Sequence, residues 1–144
     1  MQPDAVDWKI ISTLRRELQP NNKVANLLGV SEGMIRRRVQ NLKDAGILEL
    51  KALINPEALE NQQLAVIGIN VAETRLLDAK ASEIARLDNV LSVSIVSGRY
   101  DLLVELLIDS NRGLVTFLTE TLSRIKGISK TESFLLLKSY RKLV

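Results

Sequence analysis

Residues 24–47 read VANLLGVSEGMIRRRVQNLKDAGI, a short helix, a glycine turn and a second helix in succession. Gly29 is expected to end the first of these helices, because glycine tolerates the left-handed backbone conformation that closes a helix. Ser31 is a suitable N-cap for the second. Behind it, apolar residues recur at i, i+4 and i+7, at Ile35, Val39 and Leu42. This spacing is typical of an amphipathic helix, so the segment predicts a helix-turn-helix.

Another helix is predicted ahead of this pair, at about 7–18. Its apolar face consists of Ile10, Ile11, Leu14 and Leu18. Either Asp4 or Asp7 is a suitable N-cap, and Pro20 breaks the pattern. The second helix then begins at about Asn21, and Gly46 stops the third.

The third helix has one side suited to DNA. At about 100° per residue, Gly33, Arg37 and Gln40 point away from the apolar stripe. Arginine and glutamine can read guanine and adenine edges in the major groove, and glycine lets the backbone approach closely. Arg38, at the edge of the stripe, is expected to bind a phosphate or to form a structural ion pair. We predict DNA contacts from seven residues: Ser31, Gly33, Arg36, Arg37, Arg38, Gln40 and Asn41.

The charge distribution favours the same segment. The 144 residues include 20 Lys and Arg and 17 Asp and Glu, a formal charge of +3. Residues 1–54 hold nine of the cations and six of the acids, whereas residues 55–144 hold eleven of each. The excess therefore lies in the first module, as expected for one that binds a polyanion such as double-stranded DNA. The alternative is that Arg36–Arg38 are simply a solvated helix face.

The chain has no His and no Cys. This excludes disulfides, zinc clusters, thiol nucleophiles and imidazole bases, so we expect no metal, no cofactor and no catalytic residues. Acid–base chemistry by carboxylates, Lys or Tyr is still available. No apolar run reaches the roughly 18–20 residues that cross a bilayer, and the N-terminus lacks the pattern of a signal peptide. We therefore expect a cytoplasmic protein without a membrane partner.

Strand and helix patterns alternate in residues 64–144. Strands are predicted at 64–72, 90–97, 101–108 and 128–138, and helices at 78–87 and about 114–125. This β-α-β-β-α-β order gives a ferredoxin-like, four-stranded antiparallel sheet with two helices on one face. The fold class is therefore α+β, with a helix-turn-helix (winged-helix-like) domain at 1–54, a linker at 55–63 and a second domain at 64–144. Residues 47–54 look extended and fit a wing or, as we favour, a connector.

The predicted sheet is poor in aromatic residues, since the whole chain has five. RNA binding by stacking on this sheet is therefore not expected. We expect the face without helices to be aliphatic, and such a face needs a cover, most simply a second copy in a two-fold dimer. A dimer also suits a helix-turn-helix, because two recognition helices then meet two half-sites.

The turn Gly98-Arg99-Tyr100-Asp101, which we expect to join the two central strands, has two interpretations. In the structural one, Gly98 permits the turn and Asp101 caps loop amides. In the functional one, Asp101 accepts the ammonium group of a small ligand between subunits, with Thr131 or Ser133 nearby. The residues alone favour the structural interpretation.

Several short motifs occur together in this chain. In the first domain they are Asp7…Ile10-Ile11…Leu14, Ala25…Leu28-Gly29-Val30-Ser31 and Ile35-x-x-Arg38-Val39-x-x-Leu42-x-x-x-Gly46-Ile47. In the second they are Gly98-x-Tyr100-Asp101 and Ile125-x-Gly127-Ile128-x-x-Thr131-x-Ser133. With this combination the chain resembles the Lrp/AsnC (leucine-responsive, feast/famine) transcription regulators over nearly its whole length. Residues 19–22 lack the Arg and the small polar cap usual in that family, and residues 60–62 lack its glycine.

The resemblance implies a DNA-binding dimer that assembles further, often to octamers. It also implies a response to an amino acid or related metabolite bound between C-terminal domains, with Gly98, Tyr100, Asp101, Thr131 and Ser133 as the effector-binding residues. A relative of this fold decarboxylates a haem precursor, but that chemistry uses His, which this chain lacks. The other alternative is a ligand-sensing or scaffold protein without specific DNA binding.

Overall fold

The computed structural model describes all 144 residues. The chain divides into two compact units, Met1–Ala52 and Leu53–Val144, and each has its own apolar core. None of the helices is long and apolar enough to cross a membrane.

The first unit consists of three helices, as the sequence predicts. They are α1 (Ala5–Arg16), α2 (Asn21–Leu28) and α3 (Glu32–Asp44). Their apolar faces meet in a core of aliphatic side chains: Ile10, Leu14, Val24, Ala25, Ile35 and Val39. Burying a large aliphatic side chain contributes about 1.5–3 kcal/mol, which opposes the conformational entropy lost on folding.

Single residues set the ends of these helices. Asp4 caps α1, since its carboxylate accepts hydrogen bonds from two backbone N–H groups of the first turn. α1 therefore begins and ends two residues earlier than predicted, and Leu18, expected on its apolar face, is 68% exposed. Gly29 takes the left-handed conformation after α2 (φ 67°), and Ser31 caps α3, as predicted.

A buried carboxylate connects α1 to α3. Asp7 is only 3% exposed, and its Oδ1 accepts a hydrogen bond of 2.8 Å from Nη1 of Arg38. The same nitrogen donates to Oδ2 of Asp4 at 2.8 Å. The other oxygen of Asp7 accepts from the backbone N–H of Asp4 at 3.0 Å. These partners matter because a buried carboxylate without them is strongly unfavourable.

The same contacts shift the pKa values of Asp4 and Arg38. The backbone N–H of Asp7 and the guanidinium of Arg38 hold the pKa of Asp4 below its usual range. In return, the carboxylates of Asp7 and Asp4 raise the pKa of Arg38 above its ordinary value. Asp4 and Arg38 are therefore both charged at neutral pH.

The second unit contains a four-stranded antiparallel sheet with the strand order β2-β3-β1-β4. The strands are β1 (Gln62–Val71), β2 (Val90–Ile95), β3 (Leu102–Asp109) and β4 (Ile128–Leu135). The helices are α4 (Leu77–Ile84) and α5 (Gly113–Thr116), and short 3₁₀ turns lie at Pro56–Ala58 and Thr74–Leu76. The ferredoxin-like plan is confirmed. The turn at 98–101, however, joins the edge strand β2 to the central strand β3, because β1 takes the other central place by pairing with both β3 and β4.

One face of the sheet forms the core of this unit. Side chains alternate along a strand, so every second residue of β1 and β3 points to the same face. These residues are almost fully buried: Ala65, Ile67, Ile69, Leu102, Val104, Leu106 and Ile108. The segments on this face cover them with Ile84, Phe117, Leu122 and Ile125.

The opposite face, which we call the open face, carries no helix. Its centre is aliphatic, with Leu64, Val66, Leu103 and Leu107. Its edges are polar, because the strand register places Ser92, Ser94, Lys130 and Glu132 there. The expectation of an aliphatic face therefore holds for most of the two central strands, where Glu105 and Asn70 interrupt it, and is wrong for the two edge strands, whose one large apolar side chain on this face is the aromatic Phe134.

The segment predicted as one helix at about 114–125 is irregular. α5 passes at Phe117–Thr121 into a π-helical turn and at Leu122–Arg124 into a 3₁₀ turn. Thr119 and Ser123 donate their hydroxyl protons to carbonyl oxygens four residues earlier, and such back-bonding bends helices. The apolar spacing is thus correct, while the backbone of the segment changes from α-helix to a π-helical turn and then to a 3₁₀ turn.

The last residues pair with the beginning of the second unit. The backbone N–H and carbonyl groups of Val144 and Ile54 exchange hydrogen bonds of 2.8 and 3.0 Å. Lys142 forms an ion pair with Glu105, which lies on the open face. Residues 47–54, predicted as extended, contain neither helix nor strand.

Gly68 lies on the open face beneath the ring of Tyr100. A Cβ at position 68 would lie 2.6–2.8 Å from three atoms of that ring, so the ring would have to move. We expect Gly68→Ala to lower the free energy of unfolding by about 1–3 kcal/mol, as overpacked sites do. Urea denaturation followed by circular dichroism measures this loss. The same change made in a Tyr100→Ala background should cost much less, and an equal cost in both backgrounds would contradict the steric explanation.

Asp4→Asn tests the charge at the start of α1. Asparagine can still cap the helix but leaves Arg38 without one of its two carboxylates, so we expect lower stability of the first unit at neutral pH. Because the pKa of Asp4 is lowered by folding, its charge stabilises the fold above the unfolded-state pKa of about 3.9. That contribution is lost as the pH falls through the lower folded-state pKa.

The difference between wild type and Asp4→Asn should therefore be constant near neutral pH and shrink in acid. Trp8, the only tryptophan, lies in α1, and its fluorescence in urea reports the unfolding of this unit. Asp88→Asn, in the second unit, is the matched control and should not change the Trp8 transition. A difference that persists undiminished in strong acid would rule out the proposed role of the Asp4 charge.

Candidate nucleic-acid interface and effector region

The polar side of α3 faces solvent because Ile35, Val39 and Leu42 are buried on the other side. Six of the seven residues predicted to contact DNA are exposed: Ser31, Gly33, Arg36, Arg37, Gln40 and Asn41. Arg38 is partly buried, with a side chain that is 26% exposed. The structure thus brings Gly33, Arg36, Arg37, Gln40 and Asn41 together on the accessible side of α3, with Ser31 exposed at its N-cap.

Two of these side chains have partners within α3. Nη2 of Arg36 donates to Oε1 of Glu32, one turn earlier, at 2.7 Å. Nε2 of Gln40 donates to Oδ1 of Asp44, one turn later, at 2.7 Å. Exposed helical ion pairs of this spacing contribute only about 0.3–0.5 kcal/mol, so a bound molecule can replace them.

Arg37 differs from its neighbours because its guanidinium forms no ion pair. It lies nearly opposite the buried stripe of α3. On the same side, a Cβ added at Gly33 would meet no atom within 4 Å, so the first turn of the helix is open to a close neighbour. An unpaired cation beside an uncovered turn is an arrangement that an anionic ligand can approach.

Arg38 and Ser31 both have structural contacts. The ion pair of Arg38 with Asp4 and Asp7 matches one of the two roles predicted for it. The hydroxyl of Ser31 accepts a hydrogen bond from the backbone N–H of Met34 at 3.3 Å. A phosphate contact from either side chain stays a prediction.

The turn before β3 is held by hydrogen bonds of its own chain. Gly98 has a φ of 127°, which favours glycine. Oδ2 of Asp101 accepts from the backbone N–H of Val71 at 2.8 Å, at the point where the β1–β4 register shifts. The side-chain amide of Asn70 donates to the carbonyl of Arg99 at 3.0 Å. Asp101 therefore binds a strand amide, as the structural interpretation of this turn expects.

Tyr100 crosses the open face. Its ring lies over Gly68 and meets Phe134 edge-on, with 6.3 Å between the ring centroids and 73° between the planes. Its hydroxyl oxygen is buried and has no hydrogen-bond partner within the chain. Buried hydroxyl groups are nearly always hydrogen-bonded, so this group needs a partner from outside the chain.

Thr131 and Ser133 are separated from the Tyr100 ring by the sheet. The register pairs Thr131 with Ile69 and Ser133 with Ile67, whose side chains are on the helix-covered face. The five residues predicted to bind an effector therefore do not line one pocket within a single chain.

Sequence reasoning did not anticipate the partners in three polar contacts: the ion pair of Asp7 with Arg38, the hydrogen bond of Asn70 to Arg99 and the Glu105–Lys142 ion pair. The spacing of Asp4 and Asp7 fits a capping box and was a usable signal. Asn70 was a detectable polar interruption of the apolar β1 pattern. Glu105 and Lys142 are far apart in sequence, and no local pattern connects them.

The side chains give no sign of a metal centre. No group of three or more His, Cys, Asp or Glu is placed to hold a metal ion. The chemistry that the structure offers is recognition, through exposed donors on α3 and through polar groups around the turn at 98–101.

Both units match known protein families. Residues 64–143 match the Lrp/AsnC ligand binding domain, and residues 3–49 match a winged helix-turn-helix DNA-binding domain. The chain is 31% identical over 135 residues to an HTH-type transcriptional regulator of Pyrococcus furiosus, which covers 92% of this chain and 90% of that protein. It is 27% identical over 146 residues to the leucine-responsive regulatory protein of Haemophilus influenzae, covering 96% and 86% of the two chains.

The fold is also similar to that of solved structures. The leucine response regulatory protein of Mycobacterium tuberculosis superposes with a TM-score of 0.81 at 21% identity, covering 97% of this chain and 96% of that one. The ligand-binding match alone spans more than half of the sequence, and a helix-turn-helix match precedes it. The chain therefore belongs to the Lrp/AsnC family of DNA-binding transcriptional regulators.

Proposed function

We propose that this regulator reads a specific DNA sequence with the exposed side of α3 and that Arg37 contributes most to discrimination. The observation that carries this proposal is that Arg37 has no acidic partner, whereas its neighbours Arg36 and Arg38 are both paired. A free arginine can donate two hydrogen bonds to the O6 and N7 atoms of guanine. Arg36, Gln40 and Asn41 would add contacts at the flanks of the same groove.

The remaining predicted residues act on the DNA backbone in this proposal. Gly33 lets the first turn of α3 approach the groove, since nothing in the fold covers that position. Ser31 and Arg38 keep their capping and ion-pair contacts and place phosphate-binding groups beside the helix. These contacts would fix the register of α3 without carrying sequence information.

For the second unit we propose an amino-acid effector bound between copies of this chain. Asp101 supplies a carboxylate for the ammonium group of the ligand, and Gly98 and Tyr100 shape the turn around it. Thr131 and Ser133 lie on the other face of the sheet, which supports a site that is complete only when a second copy contributes its own residues.

The open face supports self-association as a homodimer, with tetramers or octamers as larger assemblies. Val66, Leu103 and Leu107 on this face are only partly buried within one chain, and the buried hydroxyl of Tyr100 lacks a partner within the chain. A second copy would cover these apolar side chains and supply a hydrogen-bond acceptor for the Tyr100 hydroxyl. We further propose that the protein acts by binding rather than by catalysis, and in the cytoplasm, where a bacterial or archaeal regulator meets DNA.

Arg37→Ala tests the DNA-reading proposal. A binding site is first selected from random double-stranded DNA, and affinities are then measured by fluorescence anisotropy on the selected and on unrelated sequences. We expect a loss of about 1–3 kcal/mol on the selected site and relaxed preference at one base pair. Arg86→Ala, an exposed cation of the second unit, removes the same charge and is the matched control. Equal losses on both sequences would make Arg37 a phosphate contact, and no sequence preference in the wild type would favour the scaffold alternative.

Asp101→Asn tests the effector site more cleanly than alanine does. Asparagine keeps a side-chain oxygen for the N–H of Val71 but removes the charge that would bind an ammonium group. We expect one or more of the twenty amino acids to raise the melting temperature of the wild type and to change its oligomer distribution. The variant should lose both responses while its unliganded melting temperature stays the same. A variant that still responds would show that Asp101 does not bind the effector.

A further inference from the structure

The outer surface of α1 and α2 is both apolar and basic. We define this α1–α2 surface by six residues: Trp8, Lys9, Arg16, Lys23, Leu27 and Leu28. Trp8 is 55% exposed and Leu27 is 65% exposed. Two grooves of about 310 and 420 Å³ lie on this surface, the first along Trp8, Arg16 and Leu28 and the second beside Lys23 and Leu27.

Trp8 is not needed for the core of its unit. The buried face of α1 consists of Asp7, Ile10, Ile11 and Leu14. At about 100° per residue, Trp8, Lys9 and Arg16 lie roughly 110° or more around the helix from the middle of that face. Asp7 on the buried face is also the contact to Arg38 of α3. The α1–α2 surface is therefore separate from the side of α3 proposed to read DNA.

The charges of this surface are uncompensated. Lys9, Arg16 and Lys23 form no ion pair, whereas Arg36 and Arg38 on α3 both do. No Asp or Glu lines either groove. A surface of one sign attracts a partner of the opposite sign and raises its rate of association.

The apolar part of the surface indicates which class of anionic macromolecule it can bind. Tryptophan and arginine are enriched among the residues that dominate the binding free energy of protein interfaces. A DNA backbone offers phosphates to Lys9 and Arg16 but, apart from the C–H groups of its sugars, no apolar group that could fill the groove between Trp8 and Leu28. A polypeptide that carries both carboxylates and apolar side chains satisfies both parts of the surface.

We propose that the α1–α2 surface docks an acidic, amphipathic peptide segment of another protein. Apolar side chains of that segment fill the groove between Trp8 and Leu28, and its carboxylates face Lys9, Arg16 and Lys23. This activity goes beyond DNA reading and effector binding, because it gives the DNA-bound regulator a contact for a second protein.

The experiment uses the full-length chain and two designed peptides. The first has Glu on one helical face and Leu on the other, and the second has every Glu replaced by Lys. Neither peptide contains an aromatic residue, so fluorescence excited at a wavelength that tyrosine does not absorb reports only Trp8 of the protein. We expect the acidic peptide to shift the Trp8 emission to shorter wavelength in a saturable titration that weakens with added salt. The basic peptide should cause no shift.

Two variants identify the contacts, with binding measured by anisotropy of a labelled acidic peptide. Trp8→Ala should weaken binding by about 30-fold or more, as truncation of a dominant interface residue of about 2 kcal/mol does. The double variant Lys9→Glu, Arg16→Glu should weaken it by about tenfold. Arg37→Ala is the matched control and should leave peptide affinity unchanged. All of these positions are exposed, and circular dichroism verifies that the helices persist.

Four outcomes would overturn the proposal. The first is an unchanged Trp8 spectrum, and the second is equal binding of the acidic and basic peptides. The third is a loss of DNA affinity in Trp8→Ala, which would make the surface a DNA contact. The fourth is dissociation of the oligomer in Trp8→Ala, seen by sedimentation, which would make a second copy its occupant. The DNA-reading proposal is tested separately, by the DNA affinity of Arg37→Ala. If that proposal fails, the peptide titration of the wild type is not affected.

Discussion

The position of α3 depends on a carboxylate buried at the start of α1. Asp7 lies at the edge of the apolar core, and the cation that compensates it is Arg38. The neighbouring core residues Ile35 and Val39 fix the same side of α3 by burial. Ion pair and apolar stripe together determine the rotation of the helix about its axis. The outward position of Arg37 is therefore a consequence of a contact made by the next residue in the sequence.

Most of the fold was predictable because its signals are local. Gly29 and Gly46 mark helix ends by backbone preference, Ser31 marks one by a local side-chain cap, and the alternation in β1 and β3 identifies strands without knowledge of their partners. What could not be predicted depends on residues distant in sequence. Nothing near Arg38 indicates that Asp4 and Asp7 will reach it. The order of strands was likewise misjudged at the turn 98–101, since only pairing shows which strands are central.

The candidate sites were predictable to different extents. On α3 one helical period sets both the buried stripe and the exposed side, so the sequence alone groups the residues proposed to face DNA. Around Asp101 the grouping depends on strand register, which places Tyr100 and Thr131 on different faces of the sheet. A strand shifted by one residue would reverse that assignment. For this reason the turn could be located from sequence, whereas the geometry of an effector site around it could not.

The hydrogen bonds inside α3 have a further consequence for how sequences are told apart. In the proposed DNA contact, Arg36 and Gln40 would exchange Glu32 and Asp44 for a base, and at an unsuitable base they would return to those carboxylates. At a mismatched base pair the donors of both side chains would therefore still have acceptors, and the loss of binding free energy would be small. Arg37 has no such alternative. If α3 reads bases as proposed, Glu32 and Asp44 would act as internal competitors for those bases, and their removal would sharpen selectivity at positions that neither residue touches.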